Sequence, residues 1–489
     1  MSTSVLSTVV DYVAHGESVP QRPSWAVLHS NAPTLDGSSL SVVQPTEEPA
    51  EQIELQESLA GTPSPEDDPE FRLPSMGSLA MVIATNALLQ FGFFVTVSSA
   101  AQYAEYLGGS AVFSGLTIGI PAVFSGLTLI PLARYDGGRY SFPLTISYLA
   151  LIVGSILHAV AYKAHLLYLI LMGRIVSGIA FTGFLYIKRY CSDPRIIGIR
   201  RRTTLASWLV LGQAFGFSVG PFVGGLLYKF GFSNDIFNGY TSPGWVTAVL
   251  TLFFMAGSVY LFKDVPKPTR PPSTSNSVEV GTPVTQEEEL GLHQLTLPQW
   301  GVILSMCWSS MSCFFILGSW EANIPIFTAA AFNYTPYAAG NFIALGGIAT
   351  VPFLLASVRY SPRFQDRTTL ALGSAIGLAG LALALILLAA ERVVFGSFYV
   401  CWVLVALGFN LASTCTLSLL SKQLPNAWNG RTSLAIQYSN YCGRVTGALL
   451  GGAGVQMGMK NYIGVQLGVV GVGVLLHLTF WKQLKAKTG

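Results

Sequence analysis

The sequence predicts an all-α membrane protein of twelve transmembrane helices arranged as two six-helix halves. Three observations carry that expectation. The 489 residues are 51% hydrophobic and 10% charged, against about 25% charged in a soluble chain. Apolar runs of about twenty residues, the length that crosses a bilayer, follow one another along the chain. A glycine frame also recurs: Gly216, Gly220, Gly224 and Gly225 return 227 residues later as Gly443, Gly447, Gly451 and Gly452. Such a repeat in a membrane chain implies two structurally similar halves.

Residues 1–75 hold twelve Asp or Glu against two Arg, a balance of −10, while the remainder carries +13. This segment, rich in Ser, Pro and Glu, buries too little apolar surface to offset its ordering entropy and is expected to be a disordered cytosolic tail. It has no basic stretch followed by an apolar core, so a cleavable signal peptide is not expected.

The first half, residues 76–263, is expected to span at 77–99, 111–133, 141–162, 166–188, 203–228 and 243–263. Residues 264–297 carry Pro266, Pro268, Pro271 and Pro272, then Ser and Thr, then Glu287 to Glu289, the composition of a flexible linker. The second half, residues 298–482, is expected to span at 299–326, 334–358, 368–390, 394–420, 431–453 and 460–481, leaving 483–489 as a short tail. A second echo supports the repeat: Arg134 and Tyr135 after the second span match Arg359 and Tyr360 after the eighth, at an offset of 225 residues.

Charge sets the orientation. Arg134, Arg139, Lys188, Arg189, Arg195, Arg200 to Arg202, Arg359, Arg363, Arg367 and Lys422 fall on one side, while the other keeps Lys163, Lys229, Arg392 and Lys460. The positive-inside rule then places both termini in the cytosol.

Glycine at every fourth position bares one helix face, and helices in lipid associate by close backbone approach. Gly216, Gly220, Gly224 and Gly225, and likewise Gly443, Gly447 and Gly451, are expected to line the interface at which the halves slide, although static tight packing is the plainer reading. Pro221 releases a helix hydrogen bond and is expected to bend its helix.

Three charges lie deep in spans: Arg174, Glu321 and Arg444. A charge at mid-bilayer costs about 2.5–3.5 kcal/mol on insertion scales, so a retained one points to function. Two arginines at similar depth in opposite halves suit an anion, because a guanidinium offers a planar fork to carboxylate or phosphate. Arg174 also admits a structural reading, in which it satisfies backbone carbonyls. Glu321, four residues before Pro325, is expected to neutralise an arginine or carry a coupling proton. Asn86, Gln90, Gln213, Asn410 and Gln437 are candidates to line a polar cavity or to bond neighbouring helices. His158 is a lone histidine in a packed helix.

The six cysteines show no metal-ligand spacing and read as reduced, small apolar residues. No phosphate-cradling loop ending in Lys-Ser or Lys-Thr occurs, so ATP-driven transport is not expected, nor is enzymatic activity, a cofactor or a metal. Expected partners are a small solute or ion, protons and the bilayer; nucleic acid is not expected, and a monomer is.

These residues resemble a family. Gly173 to Gly178, with Arg174, is similar to the fourth-helix Arg/Gly signature of the major facilitator superfamily, and Gly216 to Gly225 to its fifth-helix antiporter signature. Ser207 stands where an upstream glycine is usual. Gly138 and Arg139 survive from the signature between helices two and three, with Asp136 displaced. Tyr103 to Gly108, Lys188 to Asp193, Ser242 to Val246, Glu321 with Pro325, Ser418 to Lys422 and Gly443 to Gly447 resemble SPX-MFS-type vacuolar phosphate transporters and the lysosomal ceroid-lipofuscinosis facilitator over residues 77–485. The tail does not resemble an SPX domain.

The resemblance implies a twelve-helix facilitator with a central cavity, an anionic solute and an endomembrane location; the plasma membrane is the alternative. The expected function is secondary transport of a small polar or anionic solute by alternating access, coupled to protons. Arg174, Arg444, Gln213, Gln437 and Asn410 would bind the solute and Glu321 would couple. A proton-antiport exporter of a metabolite or drug, a channel-like conductance and a non-transporting sensor or scaffold are the alternatives.

Overall fold

A computed structural model describes residues 72–193, 195–198, 202–232, 234–265, 295–360, 365–424 and 429–485. The expected acidic tail up to residue 71, residues 266–294 of the expected linker and residues 486–489 lie outside them. The described chain is helical, in order α1 (Met76–Phe94), α2 (Ala100–Tyr106), α3 (Ala111–Tyr135), α4 (Ser141–Ala164), α5 (Leu167–Ala180), α6 (Gly183–Ser192), α7 (Arg202–Phe230), α8 (Ser242–Leu261), α9 (Leu297–Phe332), α10 (Pro336–Tyr360), α11 (Asp366–Ala389), α12 (Phe395–Gln423), α13 (Asn429–Met457) and α14 (Met459–Thr479).

Local chemistry sets several boundaries. Thr296 and Gln299 form a reciprocal capping box that opens α9, with Pro298 in the first turn. Ser110 opens α3 by accepting from the Phe113 amide at 3.2 Å. Gly458, at φ 88°, separates α13 from α14 in one residue, a conformation that costs glycine little. Two spans differ from expectation. The first helix stops at Phe94, and the chain turns into the short α2. The fourth breaks at Phe181 and Thr182 into α5 and α6, where the Thr182 hydroxyl donates to the Ile179 carbonyl at 2.8 Å.

Among the described residues, eleven passes have the length and apolarity to cross a membrane, with α5 and α6 together making one. The twelfth is α13. It has 29 residues but carries Gln437, Tyr438, Ser439, Asn440, Tyr441 and Arg444 in its middle. A pass that faces protein or a cavity need not be apolar. Outward-facing Leu127, Val153, Phe253, Ile386 and Leu475 give the bundle an apolar exterior suited to lipid.

Packing follows the repeat. In the first half α1 packs on α7, α4 on both α5 and α8, and α3 on α5. In the second, α9 packs on α13, α11 on both α12 and α14, and α10 on α12. The halves meet through α7 against α10 and α3 against α13, again a matched pair.

The glycine stripes lie elsewhere than expected. Gly216, Gly220 and Gly224 face α1: a methyl on Gly220 would sit 2.8 Å from Phe94 Cβ, and methyls on Gly216 and Gly224 would strike the Ala87 and Val95 carbonyls. Gly443, Gly447 and Gly451 face the Met311, Phe315 and Ser319 carbonyls of α9 in the same way. The stripes therefore bind helices within each half, which corrects the reading of them as the sliding interface. The contact between halves uses the next residue of each Gly-Gly pair. A methyl on Gly225 would lie 2.9 Å from Tyr337 Cα of α10, and one on Gly452 would lie 2.7 Å from the Ala111 carbonyl of α3. Gly340 returns the contact to the Pro221 carbonyl, and Gly115 returns it to Gly452. All these seam glycines sit at the bundle end opposite Arg134, Lys188 and Arg359.

The basic end is stitched by carboxylates. Asp264, after α8, accepts from the Tyr140 and Ser141 amides at 3.0 Å each and so caps α4. Asp136 accepts from Tyr186 and Arg189 of α6. Asp193 accepts from Tyr140 at 2.7 Å and from the Arg195 guanidinium at 2.6 Å, while Arg195 also reaches the Gly138 carbonyl. Burial alone would raise the Asp193 carboxyl. The hydrogen bonds from Arg195 and Tyr140 outweigh burial and hold it below the usual carboxylate range.

Two predictions follow from this packing. Overpacking costs about 1–3 kcal/mol, so Gly447→Val is expected to lower the melting temperature of the purified protein by several degrees. Gly452→Val is expected to lower it less, because the packing within each half is left intact, and to open the seam to maleimide labelling of an Ala448→Cys probe. Equal melting losses with no change in labelling would contradict the distinction. The second prediction concerns pH. A carboxylate whose folded pKa is depressed contributes stability above its unfolded pKa and loses it as pH falls through the folded value. Asp193→Asn is therefore expected to destabilise by about 1–3 kcal/mol near neutrality, and its gap from wild type should close below about pH 4, as read from melting curves across pH.

Candidate functional site

A cavity of about 1080 Å³ lies between the halves and runs from the middle of the bundle toward the basic end. The glycine seam closes the other end. The sequence builds the cavity by placing α13 against α9 so tightly that polar side chains at mid-helix have nowhere to point but inward or across to α3. Tyr441 meets Ser125 at 2.9 Å, and Tyr438 donates to the Gly126 carbonyl at 3.0 Å, both across the halves.

A buried charged pair stands in the wall. Arg444 of α13 donates through Nη1 to Oε2 of Glu321 on α9 at 2.8 Å. The Glu321 side chain is 1% exposed and that of Arg444 17%, so the guanidinium is the partner open to the cavity. Its carbon lies 4.8 Å from the centre of the Phe93 ring, 5.4 Å from Phe94 and 5.8 Å from Phe314. The ring faces attract the cation while excluding water around it. Gly318, one turn before Glu321, lets the helices close at this level: a methyl there would sit 3.1 Å from the Arg444 carbonyl.

Gln213, Gln437 and Asn410 line this cavity with Arg444 and Glu321, as does Gln90. Asn410 also donates to the Ala406 carbonyl of its own helix at 2.8 Å. Asn86 is turned away and joins α1 to the Leu209 carbonyl of α7 at 2.8 Å. Arg174 is not in the wall. It is buried inside the first half, where Nε donates to the Thr117 carbonyl at 2.9 Å and Nη2 to the Phe93 carbonyl at 3.4 Å. Its guanidinium carbon is 5.3 Å from the Phe93 ring centre, so both deep arginines approach this one ring. The structural reading of Arg174 fits these bonds, and direct contact with a solute in the central cavity does not.

Several lining residues escaped the sequence reading. Asn440, bonded to Ser310, and Tyr441 share the polar run of α13 with Gln437, and that run was the available signal. The rest of the wall is largely aromatic and aliphatic: Phe181, Phe184, Phe217, Phe314, Leu317 and Leu407. Nothing in an apolar helix distinguishes such residues from those that face lipid. The run Gly216 to Gly220 also spells the G-x-S-x-G pattern of hydrolases. Here it lies within α7, with Ser218 buried in the helix wall, and not on the strand-to-helix turn that exposes such a serine.

The Major Facilitator Superfamily profile matches residues 81–481. A Schizosaccharomyces pombe protein described as an uncharacterized MFS-type transporter is 30% identical over 433 residues, covering 87% of this chain and 85% of that protein. An SPX domain-containing membrane protein of Arabidopsis thaliana is 31% identical over 226 residues, covering 45% of this chain and 32% of that protein. Among solved structures, a bacterial homolog of the human lysosomal transporter Spinster, in an inward-facing and unoccupied conformation, superposes with a TM-score of 0.61. It is 14% identical, covering 84% of this chain and 98% of that one. The peptide transporter POT superposes with a TM-score of 0.62 at 16% identity, covering 85% and 97%. At these identities the two structures speak for the fold alone. The paired halves, the seam and the profile match agree: this chain is a member of the major facilitator superfamily.

Proposed function

We propose that this chain is a secondary transporter that carries an organic acid by alternating access, with Arg444 as the contact for its anionic group and Glu321 as the coupling residue. The observation that carries the reading is the buried Arg444–Glu321 ion pair in the wall of a large, mostly apolar cavity. A volume of about 1080 Å³ is that of a site for a drug-sized molecule. An apolar body would lie against Phe181, Phe217 and Leu407, while Gln90, Gln213, Asn410 and Gln437 supply directional hydrogen bonds. This favours an organic anion over inorganic phosphate, which has no apolar body to place there.

The coupling follows from the pair. A substrate carboxylate or phosphoryl group competes with Glu321 for the Arg444 fork. Once it wins, Glu321 is a carboxylate buried without a partner, and leaving one member of a buried pair uncompensated costs about 3–5 kcal/mol. A proton taken up at Glu321 removes that cost. Substrate and proton thus occupy the site together, and the halves rock so that the seam at Gly225 and Gly452 parts and the site opens to the other side. With the basic end in the cytosol, the described conformation is inward-open. Peptide transporters that share the fold have been solved with alafosfalin and with 5-aminolevulinic acid, both small organic solutes with an acidic group. The acidic tail is assigned no part in transport.

The test is uptake into proteoliposomes under an imposed pH gradient, with labelled phosphate beside a panel of labelled organic acids. Saturable uptake of an organic acid is expected. Arg444→Ala should reduce it roughly 100-fold or more. Glu321→Gln should abolish proton-driven accumulation while sparing substrate exchange at equal pH. Uptake of phosphate alone would overturn the organic-acid reading. Full transport by Arg444→Ala would remove that residue from the site.

A further inference from the structure

A second, smaller polar space lies inside the first half. It measures about 10 Å³, room for one atom of water's size or slightly larger. Its polar lining is Thr96, Ser155, His158, Arg174, Ser177 and Thr247. Phe93 stands between it and Arg444, since both guanidiniums approach that ring. No residue lines both this space and the central cavity.

Two features of the lining are unusual. Arg174 is 4% exposed, and no acidic side chain among the described residues pairs with it. Two carbonyls and a ring face supply dipoles but no opposite charge. His158, also 4% exposed, has both Nδ1 and Nε2 buried without a hydrogen-bond partner. Its backbone is fixed instead, because Tyr103 donates to the His158 carbonyl at 3.1 Å and meets its ring edge-on at 5.2 Å. Buried polar atoms are almost always satisfied, and a buried charge is paired or bound to an ion. The hydroxyls of Thr96, Ser155 and Ser177 make no hydrogen bond among the described residues. Thr247 donates to the Pro243 carbonyl at 2.7 Å, leaving its oxygen to accept.

We propose that this space is a binding site for one monatomic anion, chloride, held between the Arg174 guanidinium and the His158 ring. The surrounding groups offer donors: guanidinium N–H, an imidazole N–H and three hydroxyls. The charge they surround is positive, which excludes a cation. The volume excludes phosphate, sulfate or a carboxylate, each of several heavy atoms. A water molecule would satisfy hydrogen bonds but leave the Arg174 charge uncompensated in low dielectric. Chloride does both. Glycine leaves the room: Gly154 of α4 lines the space, and a methyl there would strike the Ser177 hydroxyl. Ion occupancy would fix the α4–α5 crossing and set the charge on the far side of Phe93 from Arg444.

The test is equilibrium binding of radiolabelled chloride to the purified full-length protein in detergent with gluconate as the other anion. We expect saturable binding of one ion per chain. His158→Phe and the milder Ser177→Ala should each weaken it about tenfold or more. The charge-neutral double variant Glu321→Gln/Arg444→Gln should retain it, which separates this site from the central cavity. Absence of saturable binding to the wild type would overturn the proposal. So would loss of binding in the double variant, or undiminished affinity in both His158→Phe and Ser177→Ala.

Discussion

Close approach of helix backbones at the two Gly-Gly pairs is the constraint on which the rest of this structure depends. Lipid supplies no hydrophobic force between helices, so each contact must come from backbone packing and polar bonds. The pair at Gly224 and Gly225 divides that task, and Gly451 and Gly452 repeat the division. The first glycine of each pair lets α7 lie on α1, or α13 on α9. The second lets the same helix touch the opposite half. One helix in each half is thereby both an internal strut and a bearing surface. A side chain at the first position would pry a half apart. A side chain at the second would pry the halves from each other.

The site inherits its geometry from this arrangement. Because α13 is drawn against α9 along Gly443, Gly447 and Gly451, Arg444 has one acidic neighbour within reach, Glu321, and one open direction, toward Phe93 and the cavity. The same closeness leaves the polar run from Gln437 to Tyr441 to face the interior or α3. The seam holds the far end shut while the basic end is splayed. Carboxylates at Asp136, Asp193 and Asp264 tie the basic end of the first half into a unit.

Much of the fold was legible in the sequence, since twelve passes, the repeat and a deep counter-charged pair all follow from apolar length, glycine spacing and three isolated charges. The direction in which each glycine faces was not. A stripe at every fourth position says that a helix is approached closely, but not by which neighbour, and adjacent glycines point to opposite partners. Arg174 and Arg444 sit at similar depths and look alike in sequence. Only the packing shows one enclosed within a half and the other open between halves. The expected span at 431–453 is α13, the least apolar of the passes, and its polar run from Gln437 to Tyr441 marks the helix that lines the cavity. The aromatic walls were hidden for the converse reason: Phe181 and Phe217 are as apolar as residues that face lipid.

The central claim is that the halves rock as bodies, parting the seam at Gly225 and Gly452 as the basic end closes. Its most direct test is a pair of spin-label distances in a cysteine-free background. One pair, at Phe142 and Leu297, spans the halves at the basic end, and the other, at Tyr168 and Val394, spans them at the seam end; all four positions are exposed. Proton load and a transported acid are expected to shorten the first distance and lengthen the second in the same population. Both distances holding still under conditions of measured uptake, or both changing in the same direction, would contradict the account.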